Sequence, residues 1–234
     1  MFFQKNIFSI RRSVIAAVCV LSLLLVGTAA YAQSTATSTF SITIGAGSIS
    51  VNFVNASDAT VSTPTIAFGS YSRSATCGSV TGTLGSSTAK IRVANDYGAN
   101  NGWSLDLSAL ETARWADSGS SNHFDYNDPG NTGALGCSDK SSAPNADTDS
   151  EGGQLTVNMS PATITAVSGG STGITKGAGG AFVGSGAVRL ITAAAGSADA
   201  GTWDLTGVGL SQKIPADQAN ATYSLSMTHT VTAS

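Results

Sequence analysis

The feature that most constrains this chain is a two-residue alternation of apolar side chains. It recurs in short runs along the sequence, and no sustained 3.6-residue apolar period with helix caps appears after Ala32. A period of two places every second side chain on the same face of an extended strand, so each run reads as a half-buried strand. Phe40, Ile42 and Ile44 share one face of the first run, and Ile49, Val51 and Phe53 share a face of the second, with a turn at residues 45–47 between them.

The pattern continues in residues 65–71, 81–84 and 89–94, the last read with Ile91 and Val93 on opposite faces. Trp103, Leu105 and Leu107 alternate with Ser104 and Asp106, and residues 155–159 repeat the arrangement. Further strands are expected at residues 186–192, 201–206 and 208–214, and a last one at 223–231 with Tyr223, Leu225, Met227, His229 and Val231 on one face. At most, residues 108–115 form a short helical turn. Many short strands punctuated by turn residues predict an all-β chain: an antiparallel β-sandwich of immunoglobulin-like or Greek-key type with long polar loops. The loops are expected at residues 116–153, polar and Asp-rich, and 168–186, Gly-rich, both as mobile surface segments.

The N-terminus sets the compartment. Lys5, Arg11 and Arg12 precede an apolar run from Val14 to Val26, and Ala30-Tyr31-Ala32 then offers a small-x-small cleavage site before Gln33. This is the layout of a secretory signal peptide at residues 1–32, leaving 33–234 as a single sandwich domain. The apolar run is short for a membrane span, so no membrane association is expected after cleavage. Cleavage would remove three of the eleven Lys and Arg and none of the fourteen Asp and Glu, leaving a product more acidic than the −3 of the whole chain. An acidic surface repels phosphate backbones and anionic lipids, which excludes nucleic acid as a partner. Of the three cysteines, Cys19 lies in the leader, and Cys77 and Cys137 remain. An even pair in an oxidising compartment predicts a disulfide, here closing a loop worth about 4 kcal/mol on the chain-entropy estimate.

Residues able to carry catalysis are sparse. The two histidines, His123 and His229, are far apart, and neither a Gly-x-Ser-x-Gly elbow nor a His-Glu-x-x-His motif is present. His123 reads as a solvated loop residue and His229 as an inward-facing histidine with a hydrogen-bond partner. No enzyme activity is expected. Asp147, Asp149 and Glu151 alternate ahead of Gly152. Carboxylates spaced this way on a turning loop can converge on Ca²⁺, which takes six to eight oxygen ligands, or can form a solvated acidic hairpin. No other cofactor is implied. Trp115, Phe124 and Tyr126 flank or occupy the long loop, where they either stack on sugar rings or pin the loop to the sandwich.

Residues 95–105 carry a resemblance. Asp96, Gly102, Trp103, Ser104 and Leu105 resemble the first motif of WxL-domain surface proteins of Gram-positive bacteria, in which an Asp and a Gly-rich turn precede Gly-Trp-x-Leu. Residues 66–69 resemble that family's early Phe-Gly strand, and Trp203, Leu205, Leu210, Pro215 and Tyr223 its closing region, so the likeness covers about residues 66–234. The family's second motif, Thr-Trp-Thr-Leu, has Thr228-His229-Thr230-Val231 in its place. The resemblance implies non-covalent attachment to the cell wall with peptidoglycan as ligand, and it points to Trp103, Leu105, Trp203 and Tyr223 as binding residues, to which the sugar-stacking reading of the long loop adds Trp115. Its alternation with Leu105 and Leu107 favours Trp103 as a core tryptophan packed between sheets over direct ligand contact.

Taken with the leader, these readings predict an extracellular cell-surface protein. Its partner is either cell-wall glycan or another surface protein, the latter through strand pairing into a fibre or layer.

Overall fold

The computed structural model describes residues 38–42, 47–97, 101–119, 122–130, 137, 151–197 and 200–234. The chain divides into Met1–Ile44 and a compact unit Gly45–Ser234. Within the first unit, residues 38–42 are irregular and exposed, where the alternation predicts a strand. Residues 1–32, where a signal peptide is expected, lie outside the described residues, as does Ile44.

The compact unit is all-β. Its strands are β1 (Ile49–Val54), β2 (Gly78–Leu84), β3 (Lys90–Asn95), β4 (Trp103–Ser108), β5 (Trp115–Asp117), β6 (His123–Phe124), β7 (Gln154–Asn158), β8 (Thr163–Ser168), β9 (Ile174–Lys176), β10 (Gly180–Ala181), β11 (Val188–Ala193), β12 (Gly201–Thr206), β13 (Val208–Ile214), β14 (Tyr223–Ser224) and β15 (Thr228–Ala233). They form three four-stranded sheets, in the orders β1-β3-β12-β8, β10-β7-β13-β2 and β15-β4-β11-β9, and a small sheet β14-β5-β6. Every pairing is antiparallel, and no helix occurs among the described residues. The result is a sandwich-like stack of antiparallel sheets, as the alternation predicts.

One hydrophobic core serves the three large sheets. The first contributes Ile91, Val93, Trp203 and Leu205, the second Leu84, Leu155, Val157 and Leu210, and the third Trp103, Leu105, Leu107 and Leu190. Ile91 and Val93 are two residues apart, share the core face and are both fully buried, which corrects the expectation that they oppose one another. Leu190 and Ile191 are adjacent yet both fully buried. A register shift between Arg189 and Ile191 makes this geometry accessible, because a bulge puts an extra residue in one strand of the pair.

The outward face of the first sheet carries an ion cluster. Asp204 stands opposite Arg92 in the register and receives Arg92 Nε at 2.7 Å, Arg92 Nη2 at 2.9 Å and Lys90 Nζ at 2.8 Å. Asp58, held in the left-handed region at φ 62°, takes Arg92 Nη2 at 2.6 Å and Lys90 Nζ at 3.1 Å. Burial pushes the Asp204 carboxyl up, but the hydrogen bonds from Arg92 and Lys90 outweigh it and hold the group below the usual carboxylate range.

Three expectations are corrected. Residues 65–71 make only an isolated bridge, Phe68 to Gly82. The expected last strand at 223–231 is two strands in different sheets, β14 and β15, separated by residues 225–227. The Gly-rich segment 168–186 contains β9 and β10, each hydrogen-bonded to a core strand. Cys77 and Cys137 form the expected disulfide, with a Cα–Cα distance of 5.7 Å.

Candidate functional site

Gly102 and Trp103 show what the Gly-Trp-x-Leu motif does locally. Gly102 sits at φ 85°, and a Cβ there would lie 2.4 Å from the Ala193 carbonyl oxygen, so only glycine lets β4 start this close to β11. Trp103 then enters the core, and Trp203 meets it from the opposite sheet with ring centroids 5.3 Å apart at 42°. Trp103, Leu105 and Trp203 are at most 1% exposed. Their side chains reach no surface ligand. The reading of Trp103 as a core tryptophan fits this placement, and the ligand-contact reading does not.

Trp115 and Tyr223, the other two candidate residues, come together at the surface. Trp115 opens β5 and Tyr223 opens β14, which pairs with it. Phe124 on β6 stacks on Trp115 at 6.0 Å and meets Tyr223 edge-on at 5.0 Å, and Phe68 meets Trp115 edge-on at 5.3 Å. The polar atoms of this cluster are used internally. Trp115 Nε1 donates to Gln212 Oε1 at 2.9 Å, and the Tyr223 hydroxyl donates to the Ala219 carbonyl at 2.8 Å. Tyr126, by contrast, is a buried pin. Its hydroxyl donates to the carbonyls of Ala109 and Leu110 at 3.2 and 3.0 Å, and burial raises its pKa to about 12.

Two adjoining hollows, of about 630 and 550 Å³, meet along this cluster and share Thr65, Ile66, Phe68, Trp115 and Tyr223. The smaller carries Arg73, Gln218 and Asn220 as well as the aromatic rings. The larger is a groove whose floor is the core itself: Leu84, Leu107, Leu155 and Leu210.

The walls of the groove are extended chain that has no ladder. On one side, Pro64, Ile66 and Phe68 are half-buried and alternate with exposed Thr65 and Ala67. On the other, Leu225 and Met227 are half-buried and flank exposed Ser226. Among the described residues, neither 62–66 nor 225–227 makes a backbone hydrogen bond, and the first wall is tied to the sheet only at its end, through the Phe68–Gly82 bridge. Sequence alternation reveals the half-buried side chains of both walls, but not that their backbones stay unpaired.

His229 lies at the end of this groove. Its ring meets Phe53 edge-on at 5.0 Å, and Nε2 is buried with no hydrogen-bond partner among the described residues, which corrects the expected partnered histidine. Burial lowers its pKa to about 4. The unfolded chain protonates this ring near pH 6.5, so stability is intact above that pH and is lost as pH falls towards 4. Between pH 7 and pH 5 the unfolding free energy is expected to fall by roughly 1–2 kcal/mol, allowing for the partly solvated ring. Urea titrations of the wild type and of His229→Phe at the two pH values check this. The variant loses that increment, whereas equal losses in both proteins would trace the change to carboxylates.

Asp147 and Asp149 of the acidic loop lie outside the described residues. Glu151 is half-buried, and no group of three His, Cys, Asp or Glu suited to a metal ion occurs among the described residues.

No family model, curated protein or solved structure matches this chain.

Proposed function

We propose that this chain is an exported, non-catalytic structural protein of the cell surface, whose sandwich accepts an extended strand from a neighbouring protein. The observation that carries this reading is the groove. An apolar floor lies between two extended segments with unspent backbone donors and acceptors, which is what an added β-strand requires. A strand laid there gains backbone bonds worth about 1 kcal/mol each and buries alternate apolar side chains against the core. The leader-like residues 1–32, the disulfide and the partial resemblance to WxL surface proteins support an extracellular setting.

Purified protein is expected to sediment as a concentration-dependent series of oligomers and to show regular assemblies by electron microscopy. A strictly monomeric species at the highest attainable concentration contradicts the reading.

Binding to cell-wall glycan is a second reading, and the Trp115–Tyr223 hollow favours it. That hollow combines aromatic rings with the amides of Gln218 and Asn220 and the guanidinium of Arg73. It ranks second because Trp115 already stacks on Phe124, and the Trp115 and Tyr223 donors are already bonded within the protein. Co-sedimentation with purified cell-wall sacculi, with and without EDTA, tests both the glycan and any Ca²⁺ requirement. Protein left wholly in the supernatant sets the glycan reading aside.

A further inference from the structure

Resting on the strand-acceptor reading, we infer that the strand the groove accepts is the segment around Phe40 and Ile42 of a second copy of this chain. Phe40 is 92% exposed and Ile42 89% exposed, the two most exposed large apolar side chains among the described residues. Such exposure is what an element awaiting a partner shows. Residues 38–42 are outside any strand, although the sequence Phe40-Ser-Ile-Thr-Ile44 has the two-residue alternation of one. The unpaired alternating segment and the unpaired acceptor walls are complementary deficits within one sequence.

The match extends to chemistry and length. Residues 33–48 carry no charged side chain, and neither do the wall residues 60–68; residues 223–229 add only His229, held neutral by burial. Insertion therefore strands no charge in an apolar site. Phe40 to Ile44 spans about 13 Å as a strand and presents three apolar side chains to one face. Gly47 packs on the backbone of Asp96 so closely that no Cβ fits, and residues 45–47, Gly-Ala-Gly, precede β1. A donor at one site and an acceptor at another on the same chain make a head-to-tail contact, which propagates into filaments when it does not close.

The test uses the chain processed at Gln33, its Phe40→Asp/Ile42→Asp variant, and a synthetic peptide of residues 38–46. Sedimentation and native mass spectrometry are read together. The wild type is expected to oligomerise. The double variant is expected to stay monomeric at tenfold higher concentration, because carboxylates cannot enter the floor, yet to bind the peptide one-to-one, which shows that its groove is intact. Three results overturn the inference. In the first, the double variant oligomerises like the wild type, so the donor is some other segment while strand acceptance still stands. In the second, the wild type stays monomeric with residues 225–227 protected from hydrogen exchange, a protection that is lost in the double variant, so the segment fills the groove of its own copy. In the third, the wild type is monomeric and neither protein binds the peptide, and then the acceptor reading falls as well.

Discussion

Replacing Trp203 by alanine is expected to lower the unfolding free energy by about 4 kcal/mol, a large share of what a domain of this kind holds in reserve. Trp203 is fully buried and takes contacts from both sides of the sandwich: Val93 beside it in its own sheet, and the Trp103 ring at 5.3 Å across the core. Trp103→Ala removes the other half of the same contact and is expected to cost a similar amount. The double variant should lose less than the sum, because the two cavities merge and the shared ring contact is counted once. The corresponding phenylalanine variants separate the polar roles. Trp203 Nε1 donates to the Gly170 carbonyl at 2.9 Å, whereas Trp103 Nε1 is buried without a partner among the described residues. Trp203→Phe is therefore expected to be more destabilising than Trp103→Phe by about 1 kcal/mol. Urea denaturation followed by circular dichroism measures all five variants. A loss below about 1 kcal/mol in either alanine variant would contradict the core assignment of that tryptophan.

Removing the cross-link is the second large effect. Cys77 precedes β2, and Cys137 lies 60 residues further on, in the acidic segment. Opening a loop of that length releases denatured-state entropy worth about 4 kcal/mol on the chain-entropy model. Cys77→Ser is expected to lower the urea midpoint accordingly. The double variant with Cys137→Ser should match the single one, since the second cysteine contributes through the bridge. A single variant as stable as the wild type would show that the bridge does not restrain the unfolded chain in this way.

How much of this was legible in the sequence depended on whether alternation coincided with a partner. Residues 103–107 and 201–206 read correctly as strands because alternating apolar side chains and a two-sided ladder occur together there. Residues 65–71 and 223–231 alternate just as well, but the first pairs only through Phe68 and the second changes sheets across residues 225–227. Periodicity reports which side chains turn inward. It is silent on where the backbone bonds go, and the groove consists of that difference. The site residues divided for a related reason. A tryptophan flanked by alternating leucines, as at Trp103 and Trp203, is a core residue whatever motif it sits in. Trp115, preceded by Arg114 and two residues before Asp117, belongs to a three-residue strand at the surface. His229 carries an inward-facing signature, but nothing in its neighbours along the chain indicates that Phe53 covers it and that Nε2 goes unbonded. The glycine-rich stretch 168–186 hides two short strands because glycine leaves no side-chain pattern to read.

Hydrogen exchange at residues 225–227, compared between dilute monomer and concentrated assembly, tests the account most directly. If a strand adds at the groove, the amides along this wall exchange rapidly in the monomer and are slowed at least a hundredfold in the assembly, while the amides of β4 and β12 are equally protected in both. Unchanged exchange at residues 225–227 in a sample that has demonstrably assembled would mean that the subunits meet elsewhere and that the groove accepts no strand.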